Sequence, residues 1–189
     1  MLFGLAALIA FGIKSQVAQA FYIPSGSMLP QLQLNDRVVV SKLAYRLHDP
    51  RRGDIVVFDC PKSACRQGDE AESGNGFVSR LRAVGRGVGL VQPSAEEFIK
   101  RVVGLPGETV EGRVGRVYVD GRRLVEPYLP AEVRTGDFGP TEVPAGHLFV
   151  MGDNRNSSTD SRVFGPIDRS MVVGRTIARV WPPAHASFL

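Results

Sequence analysis

Residues 21–30 read FYIPSGSMLP and set two hydroxyls, Ser25 and Ser27, around one glycine. They follow an apolar N-terminal run and precede a strand-like stretch, so both hydroxyls fall at the edge of something folded. Ser-Gly-Ser between prolines is also ordinary turn composition, because glycine supplies unusual φ and serine bonds its own backbone. A serine hydroxyl attacks a carbonyl only with a base beside it. The three histidines, His48, His147 and His185, stand in no catalytic surrounding, and no GxSxG elbow is present. A lysine is the remaining candidate base.

Lys100 lies in FIKRVV. As a strand this segment places Phe98, Lys100 and Val102 on one face and Ile99, Arg101 and Val103 on the other. Only about one lysine in a thousand is neutral near pH 7.5, so a base role requires a pKa lowered by about 2 to 3 units. Desolvation between Phe98 and Val102 has the right sign, since burial disfavours the ammonium. A strand lysine stretching its stem toward solvent is the plainer alternative.

The elements that must position these groups are strands. Residues 37–40 (RVVV) follow an Asn-Asp turn signal, and residues 54–58 (DIVVF) follow Arg52-Gly53. Further strands are expected at 98–103, at 117–119 and 122–125 around the Asp120-Gly121 hairpin signal, at 148–151 and within 171–180. With 21 Gly and 13 Pro, a hydrophobic content of 43% and no amphipathic helix after the N-terminal run, the chain reads as mostly β with antiparallel pairing. Residues 59–97 lose this pattern and read as an inserted excursion. Arg80, Arg82 and Arg86 there read as a solvated face, with lipid head groups as the alternative.

Residues 2–13 are apolar without a charge, followed by Lys14, Ser15, Gln16 and a mostly small and apolar run to Ala20, and as a helix residues 2–20 would span about 28 Å, close to the hydrocarbon thickness. Residues 1–20 therefore read as a single uncleaved anchor, ahead of a cleaved signal peptide ending at Ala18-Gln19-Ala20 or a buried helix. The same tripeptide is a candidate self-cleavage site. The domain would then be residues 21–189, its Ser27 no more than about 25 Å from the anchor's end. The net charge of +4 suits an anionic membrane surface, but no basic tract interleaved with aromatics argues for nucleic acid. Cys60 and Cys65 match no zinc pattern. They either close a small disulfide loop or stay free.

Four blocks, PSGSMLP, RRGDIVVF, FIKRVVGLPGETVE and MGDNRNSSTDSRVFGPI, in this order behind an apolar segment, resemble the sequence boxes of the bacterial type I signal peptidases. The resemblance implies a membrane-anchored Ser/Lys serine endopeptidase on a β fold. It needs no cofactor, sits outside the cytoplasm on the inner membrane, and acts on signal peptides of exported preproteins after Ala-x-Ala sites. By position, Ser27 matches the nucleophile and Lys100 the general base. Ser25 and the Ser27 amide match the oxyanion hole, and Ser158 matches the hydroxyl that orients the lysine. Asp160 and Arg162 match a supporting ion pair, and Asp153 and Arg155 hold the same loop. Ile23, Pro24, Met28, Leu32, Phe98 and Ile99 match the pocket positions, for which core packing is the alternative.

Two other functions fit parts of the pattern. A self-cleaving repressor-type Ser/Lys protease would carry a helix-turn-helix at its N-terminus, where this chain has an apolar run. A catalytically silent, membrane-tethered peptide-binding β-domain of a secretion complex would share every element except turnover.

Overall fold

The computed structural model describes residues 17–61, 64–65 and 97–189. In chain order, β1 (Ala18–Tyr22) leads through a 3₁₀ turn at Gly26–Met28 to β2 (Arg37–Ser41), the short helix α1 (Ala44–Leu47) and β3 (Ile55–Asp59). Then come β4 (Glu97–Gly104), β5 (Thr109–Arg113), β6 (Arg116–Val119), β7 (Arg122–Arg123), β8 (Phe138–Glu142) and β9 (His147–Met151). Helix α2 (Ser161–Phe164), β10 (Ile167–Asp168), β11 (Val172–Trp181) and β12 (Ser187–Phe188) complete it. Among the described residues the strands make two sheets. The larger runs β1-β2-β11-β3-β4-β9-β10 with β12 against β11, and the smaller runs β7-β6-β5-β8. The pairings are antiparallel, as the strand-and-turn pattern leads one to expect.

The β-branched runs of β2 and β3 fit a pleated surface with a buried face. In β3, Ile55, Val56, Val57 and Phe58 are all buried, because both faces of the central sheet are covered. Ile55, Val57 and Ile99 pack on one side with Ile23, Met28 and Leu32, whereas Val56, Phe58 and Val102 pack on the other with Leu148, Val150 and Ile167. β3 pairs with β4 in the register Val56↔Lys100 and Val57↔Ile99. Its last rung, Asp59↔Glu97, brackets the excursion, whose interior lies outside the described residues along with Arg80, Arg82 and Arg86.

The N-terminal expectation requires a correction at its end. Ala18, Gln19 and Ala20 belong to β1, paired with Ser41, Val40 and Val39, and not to a helix running to position 20. The pairing covers the edge of β2 and seats Phe21 in the core, a gain that a helical continuation would forfeit. The tripeptide considered as a self-cleavage site is thus held in a ladder. Among the described residues no helix is long and apolar enough to cross a membrane, and residues 1–16 lie outside them.

The smaller sheet was only half expected. Asp120-Gly121 turns β6 into β7 with φ of +50° and +72°, the conformation a two-residue hairpin needs. Its partners β5 (TVEGR) and β8 (FGPTE) carry glycine, proline and charge, which weaken any strand signal. Tertiary contact makes them strands. Phe138 lies across Gly112, where a Cβ would come within 2.4 Å of its ring, and stacks on Phe149 of the larger sheet at 5.8 Å.

Gly104 ends β4 where the two sheets meet, and a Cβ there would sit 2.5 Å from Val110 Cγ2 and 2.9 Å from Phe149 Cβ. These atoms belong to fully buried side chains. Gly104→Ala is therefore expected to destabilise the protein by about 1–3 kcal/mol through overpacking, read as a lower urea midpoint with an unchanged slope.

Candidate active site

Lys100 sits in the middle of β4 and is 4% exposed. Its Nζ lies 2.9 Å from Ser27 Oγ and 2.9 Å from the Ile99 carbonyl oxygen, to which it donates. The Phe98 ring covers it, with Nζ 5.2 Å from the centroid. Burial lowers the amine's pKa from 10.5 to about 8, while the carboxylates of Asp160 and Asp153 pull it back up. At neutral pH about a tenth of the molecules thus hold a free amine beside the hydroxyl. Ser27 itself is 9% exposed.

Ser27 is presented by a 3₁₀ turn that the sheet fixes at both ends. Upstream, Ile23 and Asn35 close a loop: the Ile23 N–H donates to Asp36 O at 2.9 Å and the Asn35 N–H to Ile23 O at 3.0 Å. Arg179 of β11 then reaches the same loop, donating to Gln31 O at 3.0 Å and pairing with Asp36. Downstream, the Leu32 N–H donates to Met28 O at 2.9 Å. Met28 and Leu32 are fully buried, so the turn is anchored by its own apolar side chains.

The loop after β9 closes the other side. Gly152 has no side chain because there is no room for one: a Cβ would lie 2.2 Å from Ser158 Oγ and 2.5 Å from Ser27 O. Asp160 accepts from the Gly152 N–H at 2.9 Å and is gripped through both oxygens by Arg162, at 2.8 and 2.7 Å. Arg162 also donates to Arg155 O at 2.7 Å. The buried Arg155 guanidinium donates to Gly152 O, to Thr135 Oγ1 and to Glu126. Asp153 is paired with Arg101, the neighbour of Lys100 on β4, through bonds of 2.8 and 2.6 Å. Alternation along β4 thus sends the lysine to the serine and the arginine to the loop that packs on it.

Most residues singled out in the sequence converge here. Ser25 is exposed, with Oγ 3.4 Å from Ser27 Oγ, which puts a second hydroxyl at the nucleophile. The expected bond from Ser158 to Lys100 is not formed. The amine makes its bonds to Ser27 and Ile99, and Ser158 Oγ is buried beside Gly152 without a hydrogen-bond partner among the described residues. Ile23, Met28, Leu32 and Ile99 lie inside the core, whereas Pro24 is exposed and Phe98 half-buried. Cys60 and Cys65 are joined in a disulfide with Cα atoms 6.1 Å apart, beyond the end of β3. Sequence reasoning missed Asn154, whose side-chain amide donates to Gly26 O at 3.1 Å and whose backbone N–H donates to Ser27 O at 3.0 Å. It also missed Glu126 and Thr135, which no local signal marks.

A hydroxyl held against a buried, partly neutral amine on an antiparallel sheet has the parts needed for acyl transfer at a carbonyl. The class follows from comparison with known families: a model described as signal peptidase, peptidase S26, matches residues 1–181, and the chain belongs to that family. It is 43% identical over 182 residues to signal peptidase I of Leptolyngbya laminosa, covering 95% of this chain and 76% of that protein. To the probable signal peptidase I-2 of Synechocystis it is 39% identical over 184 residues, covering 97% and 72%. A solved signal peptidase I from Enterococcus faecalis is 29% identical with a TM-score of 0.46, covering 68% of this chain and 97% of that one.

Two predictions follow from the geometry. Gly152→Ala would drive a methyl into Ser158 and the Ser27 carbonyl, so catalytic turnover should fall by at least about a hundredfold while far-UV circular dichroism is retained. The second concerns stability. Unfolded, Lys100 returns to 10.5; below about pH 8 both states hold the proton, and the folded state bears the full cost of a buried ammonium, on the order of 3 kcal/mol. Between pH 8 and 10.5 the folded state loses its proton first, so stability rises with pH across that window. Lys100→Met should accordingly be more stable than the wild type at pH 7 in urea melts, with the difference narrowing as pH approaches 10.5.

Proposed function

We propose that this chain is a membrane-anchored serine endopeptidase that removes signal peptides from exported preproteins, with Ser27 as nucleophile and Lys100 as general base. The observation that carries the reading is the 2.9 Å approach of a 4% exposed lysine amine to a serine hydroxyl, in a chain of the signal peptidase family. Neutral Lys100 accepts the Ser27 proton as Oγ attacks the carbonyl of the scissile bond. The resulting oxyanion is met by the Ser27 N–H and the Ser25 hydroxyl, each such donor contributing about 3 kcal/mol in the transition state. Protonated Lys100 then gives its proton to the departing amine, and water deacylates the serine by the same route.

The substrate is an extended peptide with small residues at the cleaved end. β4 pairs with β9 only from Arg101 onward, so Phe98–Lys100 lie beyond that ladder beside the Ser27 turn. A signal peptide would add there as a strand, its small side chains meeting the exposed Pro24 and the half-buried Phe98, while Ile23, Met28, Leu32 and Ile99 stay in the core. Asp160 and Arg162 support the base from the loop. The catalytic domain would work outside the cytoplasm at the surface of the inner membrane, where a signal peptide's cleavage site emerges from the bilayer, and it has no use for nucleic acid. No observation favours the catalytically silent reading.

A preprotein cleavage assay tests the proposal. Wild-type protein should cleave after an Ala-x-Ala site, and Ser27→Ala and Lys100→Ala should each lose about 10³-fold or more in kcat. Substantial turnover by Lys100→Ala would remove lysine from the base role. Because the neutral amine is the active form, kcat/KM should rise with pH to a plateau above the value of about 8 held by Lys100.

A further inference from the structure

The Asn154 side chain holds the peptide unit that carries the nucleophile's own N–H. Its Nδ2 donates to Gly26 O at 3.1 Å, and its backbone N–H donates to Ser27 O at 3.0 Å. One residue therefore grips the peptide units on both sides of the Ser27 Cα. The two bonds together restrain φ and ψ of Ser27 and, with them, the place of its Oγ.

The first of these bonds has a consequence for the oxyanion. The Gly26–Ser27 peptide is trans, since the cis bonds among the described residues are at Leu29–Pro30 and Trp181–Pro182. In a planar trans unit the C=O and N–H point in opposite directions, so a donor fixed on the carbonyl fixes the aim of the N–H. The same donor withdraws electron density through the amide and strengthens the N–H as a donor, as chains of hydrogen bonds polarise one another. The Leu29 N–H also reaches Gly26 O, at 3.2 Å, but it belongs to the same turn and moves with it. Asn154 comes from the loop braced by Asp160, Arg162 and Arg155, and so references the turn to the rest of the fold.

We propose that Asn154 is a positioning residue that aims and polarises the Ser27 amide N–H toward the oxyanion, acting from the opposite side of the peptide plane. This rests on the Ser27/Lys100 reading above. Because the amide touches no reacting atom, its removal should weaken binding of the tetrahedral state and leave ground-state peptide binding alone.

The test uses Asn154→Leu, which keeps the shape of the amide without its donor, and Asn154→Ala, each retaining the backbone N–H bond. Removing a direct oxyanion donor costs about 100- to 1,000-fold in kcat. One step removed, the expected loss is about 10- to 100-fold in kcat with KM within about twofold. Three further measurements separate aiming from general damage. The affinity for a peptide boronate ending in alanine, which forms a tetrahedral adduct on serine, should fall by the same factor as kcat/KM. The affinity for an uncleavable peptide should not change, and neither should the midpoint of the pH profile. Unchanged kcat in either folded variant overturns the proposal, as does a kcat loss with undiminished boronate affinity or with a shifted pH midpoint. If the wild type cleaves no preprotein, or Ser27→Ala cleaves as well as wild type, the underlying reading fails instead.

Discussion

Removing one primary amine from water is the constraint on which the site depends. A solvated ammonium is no base, and desolvation is the largest influence on Lys100, with Asp160 and Asp153 opposing it. The lysine is therefore enclosed without an ion-pair partner among the described residues. Both nearby carboxylates already have cationic partners, Asp160 in Arg162 and Asp153 in Arg101. A carboxylate left free at that distance would hold the proton on the amine. The two ion pairs act on the chemistry by occupying the negative charges as much as by bracing the loop.

The same enclosure dictates the architecture around it. Strand β4 is buried on both faces around its lysine, with β3 paired at Lys100 itself, β9 paired from Arg101 onward, and apolar layers above and below. The serine does not come from that strand, where the positions sharing the lysine's face are Phe98 and Val102. It arrives on a turn 73 residues away in sequence, sealed by the fully buried Met28 and Leu32. The loop after β9 then packs so closely that position 152 has no room for a side chain. Buried ion pairs in such a loop contribute less to net stability than to holding one arrangement, since each costs its desolvation. Here that arrangement sets the distance between hydroxyl and amine.

The smaller sheet also reaches the site, by way of the segment that follows β7. Glu126 and Thr135 flank that segment and both hold Arg155, while Tyr128 lies under Arg101 at 4.0 Å. The guanidiniums of the site loop and of β4 are thus both supported from outside the larger sheet. Nothing in the sequence near Glu126 announces this. An acidic residue before a proline reads as surface, and its partner stands 29 residues on.

What the sequence determined by itself was local. Runs of valine and isoleucine in β2, β3 and β4, the apolar run Leu148–Met151 in β9 and the Asp-Gly of the hairpin specify their elements, because these depend on side-chain shape and φ over a few residues. The residue types able to form the dyad were likewise visible, and the order of the four blocks identified the family. Tertiary structure alone decided the rest. It made strands of TVEGR and FGPTE, which lack the propensity, and drew residues 18–20 into a sheet where an apolar run suggested a helix. It left Ser158 unbonded and placed Asn154 on the nucleophile's turn. Each of these outcomes depends on which distant backbone group or apolar face happens to be unsatisfied nearby. That is a property of the assembled core, and no window along the chain contains it.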